Sequence, residues 1–335
     1  MNPSPEKSTI VRSSAQARID RIRPVFGALE RAAPGLGSRW AWRLWCTPTR
    51  PSPAAVAKSR AAGTGEVLRL PVELPDWTGP RPVGRDGKTK PPLHAEIAVE
   101  LLGPAGGPLV YLLHGWSGWR GQFAPIGRAL AASGYRVVLI DAPSHGDSDP
   151  GTLGPGLSMP PDFTFALTAA VERFGPAHAV IGHSLGGGCV ALALVEGLKA
   201  ERVVFISPAA DPIGFTRQLA RMLGFGDRIR TRMLERGRRR IGLDAADFVV
   251  PPLAAGRTDL PPALIVHDRD DPTVPVAAGL SLAGSWRESR MIETAGLGHN
   301  RLLRDEAVIE AVVAFVDDPR ATGPAGRKAR SHVGG

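Results

Sequence analysis

A polar pair, His183 and Ser184, interrupts an otherwise apolar stretch of this 335-residue chain, HAVIGHSLGGGCVALAL at residues 178–194. The residues before the pair have the pattern of a buried strand, and those after it that of a glycine-rich helix. Burying a hydroxyl costs free energy unless a partner compensates it. A serine hydroxyl also becomes a nucleophile when a nearby base can take its proton. Ser184 therefore needs either a structural partner or a chemical role.

Other side chains that can do chemistry follow other short apolar runs. Asp268, Asp270 and Asp271 lie at the end of one run, and His299 comes shortly after the last one. In an open α/β sheet, ligands bind beyond the carboxyl ends of the strands. If these runs are parallel strands, the serine, one of the acids and the histidine meet at one edge. The spacing alone leaves open which acid that is.

The elements that must position these groups are short runs with strand character. They are EVLRLPVE (66–73), HAEIAVELL (94–102), LVYLLHG (109–115), YRVVLIDAP (135–143), AHAVIGHS (177–184), RVVFISPA (202–209), ALIVHDRD (263–270) and SRMIETAG (289–296). The first two alternate between apolar and polar residues, whereas continuous apolar runs are typical of a parallel sheet covered on both faces. Helical periods lie between the runs. The alternation predicts a doubly wound α/β domain with a mostly parallel sheet.

The alternation breaks once, after the sixth strand, and the break sets the predicted domain organisation. The interval before the next strand is too long for a plain loop and carries helical stretches, so it predicts a helical, arginine-rich lid at 211–259. The α/β core is then expected over 66–210 and 260–318. Residues 1–65 are interpreted as a partly disordered extension in which Trp42 and Trp45 share a helix face that packs on the core. A disordered tail is expected at 319–335.

Composition excludes several classes of protein. No run approaches the ~20 apolar residues of a membrane-spanning helix, and the N-terminus lacks the apolar core of a secretory signal. The two cysteines, Cys46 and Cys189, are too few for a disulfide framework and favour a reducing, cytoplasmic location. Without a Cys/His cluster at ligand spacing, we expect no metal site.

The formal charge of +9 is concentrated in one segment. Arg217–Arg240 contains nine arginines against Asp227 and Glu235, a local balance of 9 − 2 = +7. The simpler interpretation is a solvated helix face, with Leu219, Met222, Leu223, Ile229 and Met233 packing inward. The alternative is a lid whose charge draws an anionic substrate or contacts an anionic membrane. No nucleic-acid-binding motif accompanies the arginines, so we expect no nucleic-acid partner.

One pentapeptide gives the chain a specific resemblance. Gly182-His183-Ser184-Leu185-Gly186, between a predicted strand and helix, resembles the nucleophile elbow of the α/β-hydrolase family. Four other segments resemble further parts of that family in the same order: HGWSG (114–118), DAPSHGDS (141–148), HDRDDPTVP (267–275) and GLGHNRLL (296–303). The resemblance covers roughly residues 95–210 and 260–316.

The resemblance implies a set of site residues. Ser184 would be the nucleophile and His299 its base, and the form Asp-x-x-Val-Pro selects Asp271 as the acid. The backbone N–H groups of Trp116 and Leu185 would form the oxyanion hole. Structural roles are expected for three other histidines, with His183 supporting the elbow: His114, His145 and His183. No metal or organic cofactor is implied.

The predicted function is a serine hydrolase that cleaves carboxylic esters or thioesters through an acyl-enzyme intermediate. Two alternatives stay open: an acyltransferase that uses the same three residues, and a binding protein that keeps the fold without turnover. Trp116, Trp119 and the lid's methionines and leucines are expected around a pocket for a medium-length acyl chain.

Overall fold

A computed structural model describes residues 14–49, 65–74 and 93–318, together with positions 52, 54, 56 and 57. The disordered tail predicted at 319–335 lies outside the described part. The disorder predicted at the start of the chain also lies outside it at residues 1–13, and the first helix begins at Ser14. The boundaries 66–210, 260–318 and 211–259 stay predictions about domain organisation.

Eight strands form a single sheet in the described chain. They are β1 (Glu66–Leu74), β2 (Leu93–Leu102), β3 (Leu109–Leu113), β4 (Arg136–Ile140), β5 (Ala177–His183), β6 (Ala200–Ile206), β7 (Ala263–Asp268) and β8 (Ser289–Thr294). Their order is β1-β2-β4-β3-β5-β6-β7-β8. β1 pairs antiparallel with β2, and β2 pairs antiparallel with β4. All other pairs are parallel, so the predicted mostly parallel α/β fold is confirmed.

Helices cover both faces of this sheet, which explains why its central strands are apolar throughout. On one face lie α4 (Pro160–Phe174), α5 (Leu185–Val195), α8 (Val250–Ala254) and α9 (Val276–Ser285). The opposite face is covered by α3 (Ala124–Ala132) and α11 (Glu306–Asp317). Alternate residues of β3 pack on opposite faces of the sheet. Tyr111 and Leu113 belong to the core on the first face, and Val110 and Leu112 belong to the core on the opposite face.

A third apolar cluster lies outside the sheet. It joins the N-terminal segment to the segment between β6 and β7, where the alternation of strands and helices breaks. It combines α1 (Ser14–Ala32) and α2 (Pro34–Trp45) with α6 (Pro212–Leu223) and α7 (Asp227–Ile241). Its buried residues include Phe26, Ala41, Leu223, Ile229 and Met233. The N-terminal helices therefore pack on the arginine-rich helices that follow β6. Whether this unit acts as a lid stays a prediction.

Two details explain how these four helices fit together. A Cβ on Gly37 would lie 2.3 Å from Ile229 Cδ1, and one on Gly237 would lie 2.7 Å from Trp42 Cζ3, so both glycines permit close approach of α2 and α7. Glu30 of α1 accepts hydrogen bonds from the first backbone N–H groups of α7, at 2.9 Å and 3.0 Å. The inward packing expected of Met222 is wrong, because its side chain points outward and is 42% exposed.

The remaining short helix of the described chain that matters for the site is α10 (Gly298–Arg301), just after β8. Among the described residues, none of the helices combines the length and the apolar character needed to cross a bilayer.

Candidate active site

Ser184 occupies the tight turn between β5 and α5. Its backbone has φ 53° and ψ −123°, a conformation that costs a residue with a side chain of order 1–3 kcal/mol. Backbone hydrogen bonds hold it there: its N–H donates to Ile206 O and its carbonyl accepts from Ala209 N–H, each at 2.9 Å. Strained backbone held in this way is typical of functional sites. The side chain is 8% exposed.

The glycines on either side of Ser184 are required by space. A Cβ on Gly182 would lie 2.6 Å from Gly187 Cα, and a Cβ on Gly186 would lie 2.3 Å from the carbonyl oxygen of His114. A Cβ on Gly115 would lie 2.7 Å from Ser184 Cβ. Only glycine therefore lets the chain pass so close to the serine at three positions.

Asp271 and His299 are joined by a direct hydrogen bond. His299 Nδ1 lies 2.7 Å from Asp271 Oδ2, and the other carboxylate oxygen accepts from the N–H groups of Thr273 and Val274 at 2.8 Å and 2.9 Å. Burial by itself would raise the pKa of Asp271, but these hydrogen bonds, His299's first among them, outweigh it and lower the pKa to about 2. The carboxylate is therefore ionised and fixed in direction.

The other two acids of this loop point elsewhere. Asp268 accepts hydrogen bonds from Thr294 Oγ1 at 2.6 Å and from Leu297 N–H at 3.0 Å, and Asp270 accepts from Gly296 N–H at 2.9 Å. Both carboxylates thus tie the β7 loop to the segment that follows β8. Of the three candidates left open by spacing, Asp271 is the one that contacts His299.

A cavity of about 410 Å³ lies over the carboxyl ends of the strands and contains the proposed reacting groups in its wall. Ser184 and His299 both line it, although no hydrogen bond joins their side chains in the described chain. Such bonds are often long in unliganded enzymes and shorten when substrate binds. Most of the remaining wall is apolar and includes Trp45, Trp116, Met159, Pro160, Leu185 and Phe215.

Trp116 and Leu185 also line this cavity. Leu185 is the first residue of α5, so its N–H has no acceptor within the helix and lies at the positive end of the helix dipole. The Trp116 ring lies 5.4 Å from His145 and 6.3 Å from Phe163, centroid to centroid, which fixes its loop. The expectation for Trp119 and for the methionines and leucines of the arginine-rich segment is wrong, since none of them lines the cavity.

Arg120 and Asp141 form a buried ion pair that sequence analysis missed. The backbone N–H of Arg120 donates to Asp141 Oδ1 at 2.6 Å, and its guanidinium pairs with Asp141 Oδ2 and, at 2.8 Å, with Asp147. The pair links the loop after β3, which carries Trp116, to the loop after β4. No spacing rule indicates this contact, because the two loops meet only in the folded chain.

Three buried histidines support the site through contacts to backbone groups, and one of them, His183, also lines the cavity. His114 Nε2 accepts from Ala142 N–H at 3.1 Å, His145 Nδ1 lies 3.0 Å from Pro143 O, and His183 Nε2 lies 3.0 Å from His299 O. Burial lowers their pKa, to about 4 for His114 and about 3 for the other two. They are therefore neutral at pH 7. In the described chain no group of three or more His, Cys, Asp or Glu residues could hold a metal ion.

A comparison with known sequence families assigns the chain. The sequence model of the alpha/beta hydrolase family matches residues 110–311, which is more than half of the chain and runs from β3 to α11. The chain belongs to the alpha/beta hydrolase family.

Individual relatives of this chain match shorter segments. Pimeloyl-[acyl-carrier protein] methyl ester esterase of Xanthomonas campestris pv. campestris is 41% identical over 89 residues, covering 27% of the chain and 31% of the esterase. The sn-1-specific diacylglycerol lipase ABHD11 of Xenopus tropicalis is 34% identical over 152 residues, covering 41% of the chain and 45% of the lipase. The chain thus matches less than half the length of these relatives.

A solved structure extends the likeness in fold. Carboxylesterase CesB of Bacillus subtilis superposes with a TM-score of 0.53 at 14% identity, covering 85% of this chain and 98% of CesB. At that identity the superposition supports the architecture alone. The family match begins at residue 110, so α1 and α2 lie outside it.

Proposed function

We propose that this hydrolase cleaves carboxylic esters through Ser184, His299 and Asp271. The observation that carries the proposal is the hydrogen bond between Asp271 and His299, 2.7 Å long, next to a serine in a strained turn of the same cavity. A carboxylate, an imidazole and a serine hydroxyl in this arrangement are the groups that nucleophilic acyl transfer requires. The esterase and lipase relatives support the same class of substrate.

The reaction proceeds in two halves. Ser184 Oγ attacks the acyl carbonyl while its proton moves to His299 Nε2, and the bond to the alcohol breaks as His299 returns that proton to the leaving oxygen. A water molecule then gives a proton to His299 and attacks the acyl-serine, which releases the acid and restores the Ser184 hydroxyl. Asp271 holds Nδ1–H of His299 throughout, so Nε2 stays available as the base.

The N–H groups of Trp116 and Leu185 serve as the oxyanion hole in this proposal. Both residues line the cavity beside Ser184, and each N–H donor in such a hole is commonly worth about 3 kcal/mol of transition-state stabilisation. The buried Arg120–Asp141 pair would hold the Trp116 loop at the correct distance.

A fluorophosphonate probe tests the nucleophile directly. We expect labelling of the wild type, loss of labelling in Ser184→Ala, and unchanged labelling in Ser285→Ala, because Ser285 is the last residue of α9 and does not line the cavity. The same variants are assayed on nitrophenyl esters of graded chain length. A wild type that is neither labelled nor active would favour the binding-protein alternative instead.

The acyltransferase alternative differs only in the second acceptor. Adding an alcohol or a thiol to the ester assay and analysing the products separates the two: free acid as the main product supports hydrolysis, and a new ester or thioester supports transfer. A thioester substrate is tested in the same experiment by comparing oxygen and sulfur esters of one acid.

We further propose that the arginine face of α7 attracts an anionic part of the substrate. Ile229, Met233 and Ile241 turn inward, and the outward side forms a groove against α2. This groove is lined by Gly35, Ser38, Arg232, Glu235, Arg236, Arg239 and Arg240. Its carboxylate, Glu235, already pairs with Arg238 and Arg239, at 2.9 Å and 2.8 Å, so positive charge predominates.

Salt dependence measures this attraction. With esters of equal chain length, kcat/KM for an anionic ester should fall more steeply with ionic strength than kcat/KM for a neutral one. An Arg236→Gln, Arg240→Gln double variant should flatten that difference. Equal salt dependence of the two esters in the wild type would contradict the proposal, and sedimentation with anionic vesicles would point to a membrane surface as the ligand.

A further inference from the structure

We propose that Trp45, at the end of the N-terminal helix pair, is a wall of the acyl pocket and sets the chain length that the enzyme accepts. The inference rests on the proposed function and deepens it, since it concerns the substrate range of the same cavity. It assigns a role to a part of the chain that lies outside the family match at 110–311.

Trp45 lies between the helical cluster and the cavity. Its side chain is half-buried, packs against the cluster of α1, α2, α6 and α7, and lines the cavity that contains Ser184. Phe215 of α6 lines the same cavity, so the helical unit contributes a side chain from each of its two halves. The aromatic wall is therefore built jointly by the N-terminal segment and by the segment between β6 and β7.

The chain around Trp45 is fixed to the rim of the cavity. The N–H of Ser158 donates to the carbonyl of Cys46 at 2.8 Å, and the N–H of Thr49 donates to Ser117 Oγ at 2.8 Å. Both serines line the cavity, and Cys46 is buried at 1% exposure. Hydrogen bonds on the C-terminal side of Trp45 thus hold it at the site.

The helix that carries Trp45, α2, is also held by α7. Trp42 packs on Gly237 and Gly37 packs on Ile229, so α2 is seated on α7 along its length. An indole placed by two sets of contacts cannot move aside at low cost for a longer chain. Each further methylene of the acyl chain that contacts the apolar wall should raise kcat/KM roughly fourfold. A methylene that clashes with the indole should not give this increase.

The test compares Trp45→Ala with Trp45→Phe and with Trp40→Ala as a matched control on the same helix. On nitrophenyl esters from C2 to C12, Trp45→Ala should raise the ratio of kcat/KM for decanoate to that for butyrate at least tenfold, with Trp45→Phe in between. Trp40→Ala loses an indole that stacks on Phe26 of α1 and does not line the cavity, and it should leave this ratio within about twofold of the wild type.

Binding of free carboxylates makes the result independent of turnover. Calorimetry with butyrate and decanoate, on Ser184→Ala with and without Trp45→Ala, should show the same change in preference. Unchanged preference in a folded Trp45→Ala protein, or an equal change in Trp40→Ala, would overturn the inference. If the wild type shows no esterase activity, the proposed function fails, and the calorimetric ratio alone then decides whether Trp45 sets the pocket length.

Discussion

His183 Nε2 lies 3.0 Å from the backbone carbonyl oxygen of His299, and the two imidazole rings are 4.6 Å apart, centroid to centroid. A carbonyl oxygen only accepts, so Nε2 of His183 carries the proton. The residue just before the proposed nucleophile therefore holds the backbone of the proposed base. This contact spans 116 residues of sequence and connects the elbow to the loop after β8.

The first prediction concerns this contact. His183→Leu removes the donor and should lower kcat about tenfold or more, because a small displacement of the base is costly in rate, while KM changes little. His183→Gln keeps an N–H at a similar reach and should recover most of kcat. Steady-state kinetics of both variants, with thermal unfolding to verify folding, makes the comparison. If Gln and Leu are equally impaired, the hydrogen bond is not what matters.

The second prediction separates the acids of the β7 loop. Asp271→Asn keeps an oxygen for the N–H groups of Thr273 and Val274 but loses the charge that orients His299, so kcat should fall by about 10³–10⁴. Asp270→Asn, in the same loop, should retain most of its activity, since its carboxylate accepts a hydrogen bond from Gly296 N–H and not from His299. Similar losses in the two variants would argue against Asp271 as the acid.

The third prediction follows from the buried histidines. The pKa of His145 is lowered from 6.5 to about 3 by burial first and by the neighbouring His114 second. The unfolded chain therefore binds more protons than the folded one below pH 6.5, and stability present above that pH is lost as the pH falls. Between pH 7 and pH 5 this costs about 2 kcal/mol for each such histidine.

His145→Asn provides the measurement. The amide nitrogen can still donate to Pro143 O, and the side chain does not titrate. Denaturant unfolding at pH 7 and pH 5 should show a loss of stability that is smaller by about 2 kcal/mol in the variant than in the wild type. The same loss in both proteins would mean that His145 is not kept neutral by the fold.

The fourth prediction compares two glycine-to-alanine changes. At Gly186 the new methyl group would lie 2.3 Å from His114 O and 2.4 Å from Leu113 O, both of them backbone atoms that cannot move aside cheaply. We expect a loss of at least about 3 kcal/mol, together with loss of activity. At Gly284, inside α9, nothing lies within 4 Å, and alanine should stabilise by about 0.5–1 kcal/mol. Chemical denaturation ranks the two variants.

Much of the fold was predictable because its determinants are local. Each strand was visible as a short apolar or alternating run, and the elbow as a serine between glycines at a strand-helix joint. The inward packing of Met222 could not be decided in this way. Helical spacing fixes which residues share a face, but the neighbours of that face depend on how α1 and α2 pack on α6 and α7.

The sequence by itself determined the order of the strands and helices along the chain. It also determined the positions of a serine, an acid and a histidine after the ends of strands, because both features follow from periodicity and from residue types a few positions apart. Tertiary structure decided which aspartate contacts His299, that His183 holds the backbone of His299, and that Trp45 lines the cavity. These contacts join segments far apart in the chain. Their geometry depends on the packing of whole elements, a property that no local pattern contains.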